Sequence, residues 1–489
     1  MLQVNVVFYF LMTVWLQLWG SDIAKAGPLT PEQLVTRALL SSATGKEIGL
    51  QKPFSDAEKL QTYALLDWQI GALYSSSHNQ GESPSSFSID EEKARTASIT
   101  AQKLFSSGTA LSFKLSTLDY EVSYPADLPF PAAKNQANTA EIEIKQDLWR
   151  NSLGKAVSSQ LAAADIKNRS AEYSVRSAQS EFAANILTLY WQAYALDRSQ
   201  GEWQKSLKRM DDLLEYTKQR SKFGLLELGE LERIKADRQL QVQQRDSAKS
   251  QLQRILTQVA ILLGLTAPKT SEGILPQDFP LGPRPEQHAA DIQETRAWKI
   301  ASSQLEASVL QAEASQSQAM PELSVFAKIA SNGVDAESSA AWEELQNVDR
   351  PNVTLGLSFS YALGNRGGTA AVMQSQLAKM KSEFALERVK DDWNIKNKTL
   401  LLAAQTAWDR ANASMQIKEL RAKATKKLTK GYRQGRLGLD QVIMASNFMT
   451  QSELTYLNDM AMYFIARDDL LAHREQLLKR YVILSQGGN

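Results

Sequence analysis

Between Gly368 and Gly431 the chain contains neither proline nor glycine, so nothing in the sequence stops a helix for about sixty residues. At about 1.5 Å per residue, such a helix spans on the order of 90–100 Å. No ordinary globular domain needs a rod of that length. Apolar residues along it keep the spacing of a heptad seam: Met373, Leu377, Met380 and Phe384, then Leu420, Ala424 and Leu428 on the same face. The rod turns within 432–440, where Gly435, Gly438 and Asp440 supply a reversal and restart a second helix.

The first half of the chain carries a second version. From Gly154 to Lys222 a helical pattern runs on, interrupted only by Gly201. Ile186, Leu189, Ala193 and Leu196, then Trp203, Leu207, Met210 and Leu214, step by three and four. It turns at Phe223-Gly224-Leu225, restarts after Gly229 and ends at Leu262-Leu263-Gly264. Two long antiparallel hairpins, one per half, make an internal duplication.

Composition excludes several function classes. A net charge of +1 over 489 residues offers no field to recruit nucleic acid. With no cysteine, disulfides, thiolate metal sites, cysteine nucleophiles and lipoprotein acylation are ruled out. His78, His288 and His473 are far apart without ligand spacing and read as surface histidines, so no metal or other cofactor is expected. No phosphate-binding glycine loop follows a strand and no triad-like set appears, so the chain does not read as an enzyme.

Val4 to Trp19 is nearly continuous apolar sequence followed by Ala24-Lys25-Ala26, the pattern of an exported signal cleaved after Ala26. No later segment has the apolar length of a spanning helix, so membrane insertion would have to be through β-structure. After the signal (1–26), the expected order is N-terminal helices (27–95), a first β-hairpin (96–150), the first long helical hairpin (151–264) and a linker (265–289). A helix (290–319), a second β-hairpin (320–363), the second long hairpin (364–484) and a tail (485–489) follow. Thr30, Pro31 and Gln33 make a capping box, a loop is expected near Gly45, and a second helix from Ser55 to about Tyr74.

In the β-regions, Leu111, Phe113 and Leu115 alternate with polar residues, as do Ile142 and Ile144, with 97–105 a possible additional strand. In the second half Leu323, Val325, Ala327 and Ile329 precede the clearest alternation, Val353, Leu355, Leu357, Phe359 and Tyr361. Two strands per half, each about ten residues, suit a tilted membrane-spanning strand, and equally a hairpin on a soluble core. Four strands cannot close a barrel, and open edges are not tolerated in lipid, so the membrane reading demands several copies. Three would supply about twelve strands. Charged residues on the rods, such as Arg209, Asp211, Asp212 and Lys218, read as a solvated face, and Trp149, Trp191, Trp203, Trp393 and Trp408 as packing anchors.

In this order and duplication the chain resembles the TolC-like outer-membrane efflux protein family. The resemblance covers nearly the whole chain after the signal. It rests on Phe223-Gly224-Leu225 and Gln434-Gly435-Arg436 at the turns, Leu262-Leu263-Gly264-Leu265 closing the first half, Met320-Pro321-Glu322-Leu323, and the Val353–Tyr361 strand running into a glycine-rich helix start. It implies a mostly helical homotrimer: duplicated helical hairpins form an α-helical barrel projecting into the periplasm, and two β-hairpins per copy give four strands to a twelve-stranded barrel in outer-membrane lipid. It further implies an exit duct for efflux or type I secretion, joined by a periplasmic adaptor to an inner-membrane pump of the RND or ABC type. Phe223, Gly224, Leu225, Gln434, Gly435 and Arg436 map to the adaptor-binding tip. Gln441 and Met444 fall in register with the family's acidic constriction but are not acidic, and Asp440 is one residue off, so an aspartate ring is in doubt there. The rival class is a periplasmic coiled-coil structural or adaptor protein without a barrel, which leaves the alternating strands and the duplication unexplained.

Overall fold

The structure, a computed structural model, describes residues 30–482 apart from 81–88, 90, 125–132, 225–228, 264–278, 288–290 and 349–350. The expected signal segment, Leu225 and His288 therefore lie outside the described residues. The chain divides into two compact units. One holds residues up to 51 with 173–298 and 389 onwards; the other holds 52–172 and 299–388.

The second unit is built on one antiparallel sheet of six strands in sequence order. These are β1 (Gln69–Asn79), β2 (Glu91–Leu104), β3 (Thr109–Ser123), β4 (Ala133–Asp147), β5 (Glu322–Asp335) and β6 (Asn352–Ser360). The fold class is as read from the sequence, but the strand number is corrected from four to six. The first half supplies four strands and the second half two. Residues 69–74, expected as the end of a helix, open β1. Ile70, Leu73 and Tyr74 satisfy a helical step, yet Ile70, Ala72 and Tyr74 also alternate, and pairing with Ala101, Ile99 and Ala97 decides between them.

The register sorts the side chains of this sheet. One rung, read across all six strands, is Ile70, Ala101, Phe113, Ile142, Ile329 and Val353. The neighbouring rung is Gln69, Gln102, Ser112, Glu143, Lys328 and Thr354. Successive strand residues point to opposite faces, so at this level one face is apolar and the other polar across all six strands. The apolar face is open: Ile70, Ile99, Ile142, Ile329, Leu355 and Phe359 are all exposed. Helix α6 (Ser338–Asn347, numbered in chain order below) packs on β4 and β5. Gly333 makes that contact possible, since a Cβ there would lie 2.0 Å from the Ala341 carbonyl oxygen.

Helices α1 (Pro31–Ser41) and α2 (Ala43–Tyr63) precede the sheet. The capping box is present: the Gln33 N–H donates to Thr30 Oγ1 (3.3 Å) and the Thr30 N–H to Gln33 Oε1 (3.2 Å). The break between these helices falls at Ser42 rather than in a loop near Gly45, because the Ser42 hydroxyl accepts the Gly45 N–H at 2.9 Å and starts α2 there. The long rods are α3 (Lys155–Lys222) and α7 (Arg366–Arg433), each 68 residues. Their partners are α4 (Glu230–Leu262) and α8 (Leu439–His473), while α5 (Arg296–Gln318) leads into β5 and α9 (Leu477–Tyr481) closes the described chain. Both rods begin just after an asparagine with positive φ, Asn151 (54°) and Asn365 (34°). Asn151 Oδ1 accepts the Ala156 and Val157 N–H groups at 3.0 and 3.2 Å, and so caps α3.

The core of the first unit gathers Leu34, Ile186, Leu187, Tyr190, Trp191, Tyr194, Met460, Tyr463 and Phe464. At its centre Trp191 Nε1 donates to Asp468 Oδ2 at 2.8 Å, with Arg467 and the Tyr481 hydroxyl also on that carboxylate at 2.8 and 3.1 Å. Burial pushes the Asp468 carboxyl up, and Arg467 and these two donors hold it down. The described end of the linker lies on the same core: Phe279 stands edge-on to Trp191 at 5.0 Å, and Trp408 Nε1 donates to the Gly282 carbonyl at 2.8 Å. His473 is not the surface residue expected. It stacks on Trp393 at 5.1 Å, and burial lowers its pKa.

Candidate functional site

The hairpin turns lie at one end of the first unit, and their backbones differ. The second turn closes in a Schellman pattern. Gly435 takes φ +71°, its N–H donates to the Tyr432 carbonyl (2.9 Å), and the Arg436 N–H reaches back to the Gly431 carbonyl (3.0 Å). Only a residue without a Cβ adopts that φ freely, which is why glycine sits there. Leu437 then folds back over Gly431, and Gly438 precedes α8. In the first turn Gly224 has φ +67° and Gly229 has φ +86°, the latter directly before α4. Phe223 between them and the rod is 76% exposed. An aromatic residue left that open at a chain reversal costs apolar surface in water, unlike a buried core residue.

Tyr432 ties the two turns together. It is fully buried, stands edge-on to Tyr216 (5.5 Å, 70°), and carries the Arg220 guanidinium 5.3 Å from its ring centroid. The Tyr216 hydroxyl donates to the Arg433 carbonyl at 3.3 Å. Beneath lies an apolar cluster of Met210, Leu213, Ile234, Leu439, Val442 and Ile443, drawn from α3, α4 and α8. Gln434, Gly435 and Arg436 are thus exposed on a turn whose underside is anchored.

Of the expected constriction residues, Gln441 and Met444 are exposed on α8 at a spacing of one helical turn, continued by Phe448. Asp440 is engaged elsewhere. Its carboxylate pairs with Arg233 of α4 at 2.7 Å, both side chains about half exposed, so it bridges the two hairpins. Asp440 lies one helical turn before Met444 on the same exposed side of α8, and its carboxylate is an ion-pair member.

Further along the same helices is a pairing that no sequence signal announces. Glu202 of α3 faces Glu453 of α8; burial and the neighbouring Glu202 carboxylate push Glu453 up to about 7, while Glu202 is lowered. Next to it Ser206 and Thr450 hydroxyls meet at 2.8 Å, and Arg209 donates to Thr450 at 2.8 Å. Nothing in single-chain spacing could pair residues so distant in sequence. Only the packing of α3 on α8 does so.

No protein-family profile matches the chain, and no curated protein matches it by sequence. By structure it is similar to known channels. The outer membrane protein VceC of Vibrio cholerae is 15% identical with TM-score 0.65, covering 91% of this chain and 95% of that one. The MtrE outer membrane channel of Neisseria gonorrhoeae, in its open state, is 14% identical with TM-score 0.67, covering 93% and 91%. CusC, solved for changes that accompany folding and transmembrane channel formation, is 13% identical with TM-score 0.67, covering 93% and 95%. The fold is that of the TolC-like outer-membrane efflux channels.

Within this TolC-like fold, three features escaped the sequence reading: the Arg233–Asp440 bridge, the Tyr432–Arg220 stack and the Glu202–Glu453 pair. A signal for the second was available in principle. Tyr432 lies between Gly431 and Gly435 with no charge on its own face, a poor place for an exposed aromatic ring. Among the described residues no helix is long and apolar enough to cross a membrane.

Proposed function

We propose that this protein is an outer-membrane exit duct of an efflux system, assembled from three copies. The observation that carries the reading is the pair of adjacent rungs in the sheet, one wholly apolar with every large side chain exposed, the other wholly polar. Such a wall faces lipid on one side and a water-filled lumen on the other. The helical hairpins then extend into the periplasm, and their turns dock a periplasmic adaptor that links the duct to an inner-membrane pump. Phe223 and Arg436 supply an exposed ring and an exposed cation at that contact, and Gln441 and Met444 line the constriction just behind it. A place in type I secretion is a second use of the same duct.

Fractionation and conductance test this. The protein is expected in outer-membrane fractions as a detergent-stable trimer that forms channels in planar bilayers. Gln441→Ala with Met444→Ala is expected to raise single-channel conductance severalfold; unchanged conductance places the constriction elsewhere. Arg436→Glu is expected to weaken cross-linking to the adaptor, and full cross-linking with full transport would remove the tip from the docking surface.

A further inference from the structure

The sheet ends in two unguarded edges. β1 and β6 each pair on one side only, and both are exposed along their length. Exposed edges usually carry lysine, proline or an inward charge that blocks further pairing. β1 (Gln69–Asn79) contains no proline and no Asp, Glu, Lys or Arg, and β6 (Asn352–Ser360) contains none either. In lipid, an unpaired row of N–H and C=O groups costs several kcal/mol per group. These edges must therefore be paired, and β1 does not pair with β6 of its own chain.

We infer that β6 of one copy pairs edge to edge with β1 of the next, so that all six strands of each copy enter the membrane wall and three copies close an eighteen-stranded barrel. This rests on the trimeric reading above and fixes what that trimer is made of. The alternation of strand directions permits it: six antiparallel strands in order leave β1 and β6 running oppositely, so the junction is antiparallel as well. The apolar rung decides between this wall and a narrower one built from β3–β6 alone. Ile70 and Ala101 continue Phe113, Ile142, Ile329 and Val353 without a step, and Gln69 and Gln102 continue the polar rung. Gln102 Nε2 donates to Gln69 Oε1 at 2.9 Å, so the polar face extends to the last strand. A hairpin lying outside the wall has no reason to keep lipid-facing and lumen-facing rows in register with it. Diameter grows roughly linearly with strand number, so the wall encloses a bore about half as wide again as twelve strands would.

The absence of native cysteine makes disulfide mapping clean. Gly71→Cys or Ser75→Cys in β1 is combined with Thr354→Cys or Ser358→Cys in β6 of the full-length protein in outer membranes. Matched controls combine Ser112→Cys or Ser116→Cys in β3 with the same β6 positions, and the single-cysteine variants report folding by trimer yield. Inter-copy disulfide ladders from a β1–β6 pair, with none from β3–β6, are expected. β3–β6 ladders, or none from any β1–β6 pair in variants that still form trimers, overturn the inference. Electron cryomicroscopy of the wild-type protein in lipid nanodiscs reads the same question without substitution: eighteen strands support it and twelve overturn it. A detergent-corrected mass of two copies with β1–β6 ladders would instead refute the trimer while leaving the edge pairing intact, which keeps the two claims separable.

Discussion

The two long rods carry the same apolar rhythm and use it differently. On α3, Ile186, Ala193, Leu207 and Met210 are buried against residues of the same chain. On α7, Met373, Leu377, Met380, Phe384 and Leu420 keep heptad spacing but stand exposed, Leu377 at 55% and Phe384 at 63%. A seam that regular and that open has no cover among the described residues. Hydrophobic stripes of this width mark a surface that meets another chain. The duplication thus produced one rod whose seam is buried within the chain and one whose seam stays open.

The largest effect is expected where the α3 side is most committed. Asp468→Ala leaves Arg467 buried without its carboxylate and should cost about 3–5 kcal/mol, read as loss of the folded helical unit in denaturant melts. Asp468→Asn, which keeps the Trp191 and Tyr481 contacts, should cost less; equal losses would shift the weight from charge to hydrogen bonding. Truncating the seams themselves comes next. Leu207→Ala is expected to cost about 2–4 kcal/mol in any assembly state. Leu377→Ala should cost under about 0.5 kcal/mol in the isolated protomer and more in the trimer. Equal costs in monomer and trimer would abolish the distinction between the rods.

The smallest effect concerns pH. Glu453 has a raised pKa in the folded state, so it binds its proton more tightly folded than unfolded, and stability falls as pH rises from about 4.5 through about 7. Glu202, shifted down, works against this. The two opposed shifts limit the net effect to about 1 kcal/mol. Glu453→Gln should therefore leave stability near pH 5 almost unchanged and raise it at pH 8, measured as a melting temperature a few degrees above wild type. A pH profile in the variant parallel to that of the wild type would rule out the raised Glu453 carboxyl.

The rods and their turns were legible in the sequence because helix-breaking residues act locally: about sixty residues without proline or glycine, then Gly435, admit little else. The sheet was half legible. β6 alternates strongly, with Val353, Leu355, Leu357 and Phe359, whereas β1 and β2 fill many outward positions with alanine, such as Ala72, Ala97 and Ala101. Alanine carries too little contrast to mark a face, so β1 reads as helix end and connector, and β2 shows only as a strand over 97–105. At the tip, the glycines pointed to the turns, but nothing in the sequence placed Asp440 in an ion pair. Its partner Arg233 stands on α4, in the other hairpin.

That bridge has a consequence for how the end of the protein behaves. Arg233 and Asp440 are half in water, whereas the Met210, Ile234 and Val442 layer beneath them is dry. Dissolved salt shortens the reach of exposed charges to about 8 Å at physiological strength and about 3 Å at 1 M, and leaves apolar contact untouched. Rising ionic strength should therefore loosen the fastening between the hairpins at its outermost point first, so that the tip works as a clasp whose grip is set by the surrounding electrolyte.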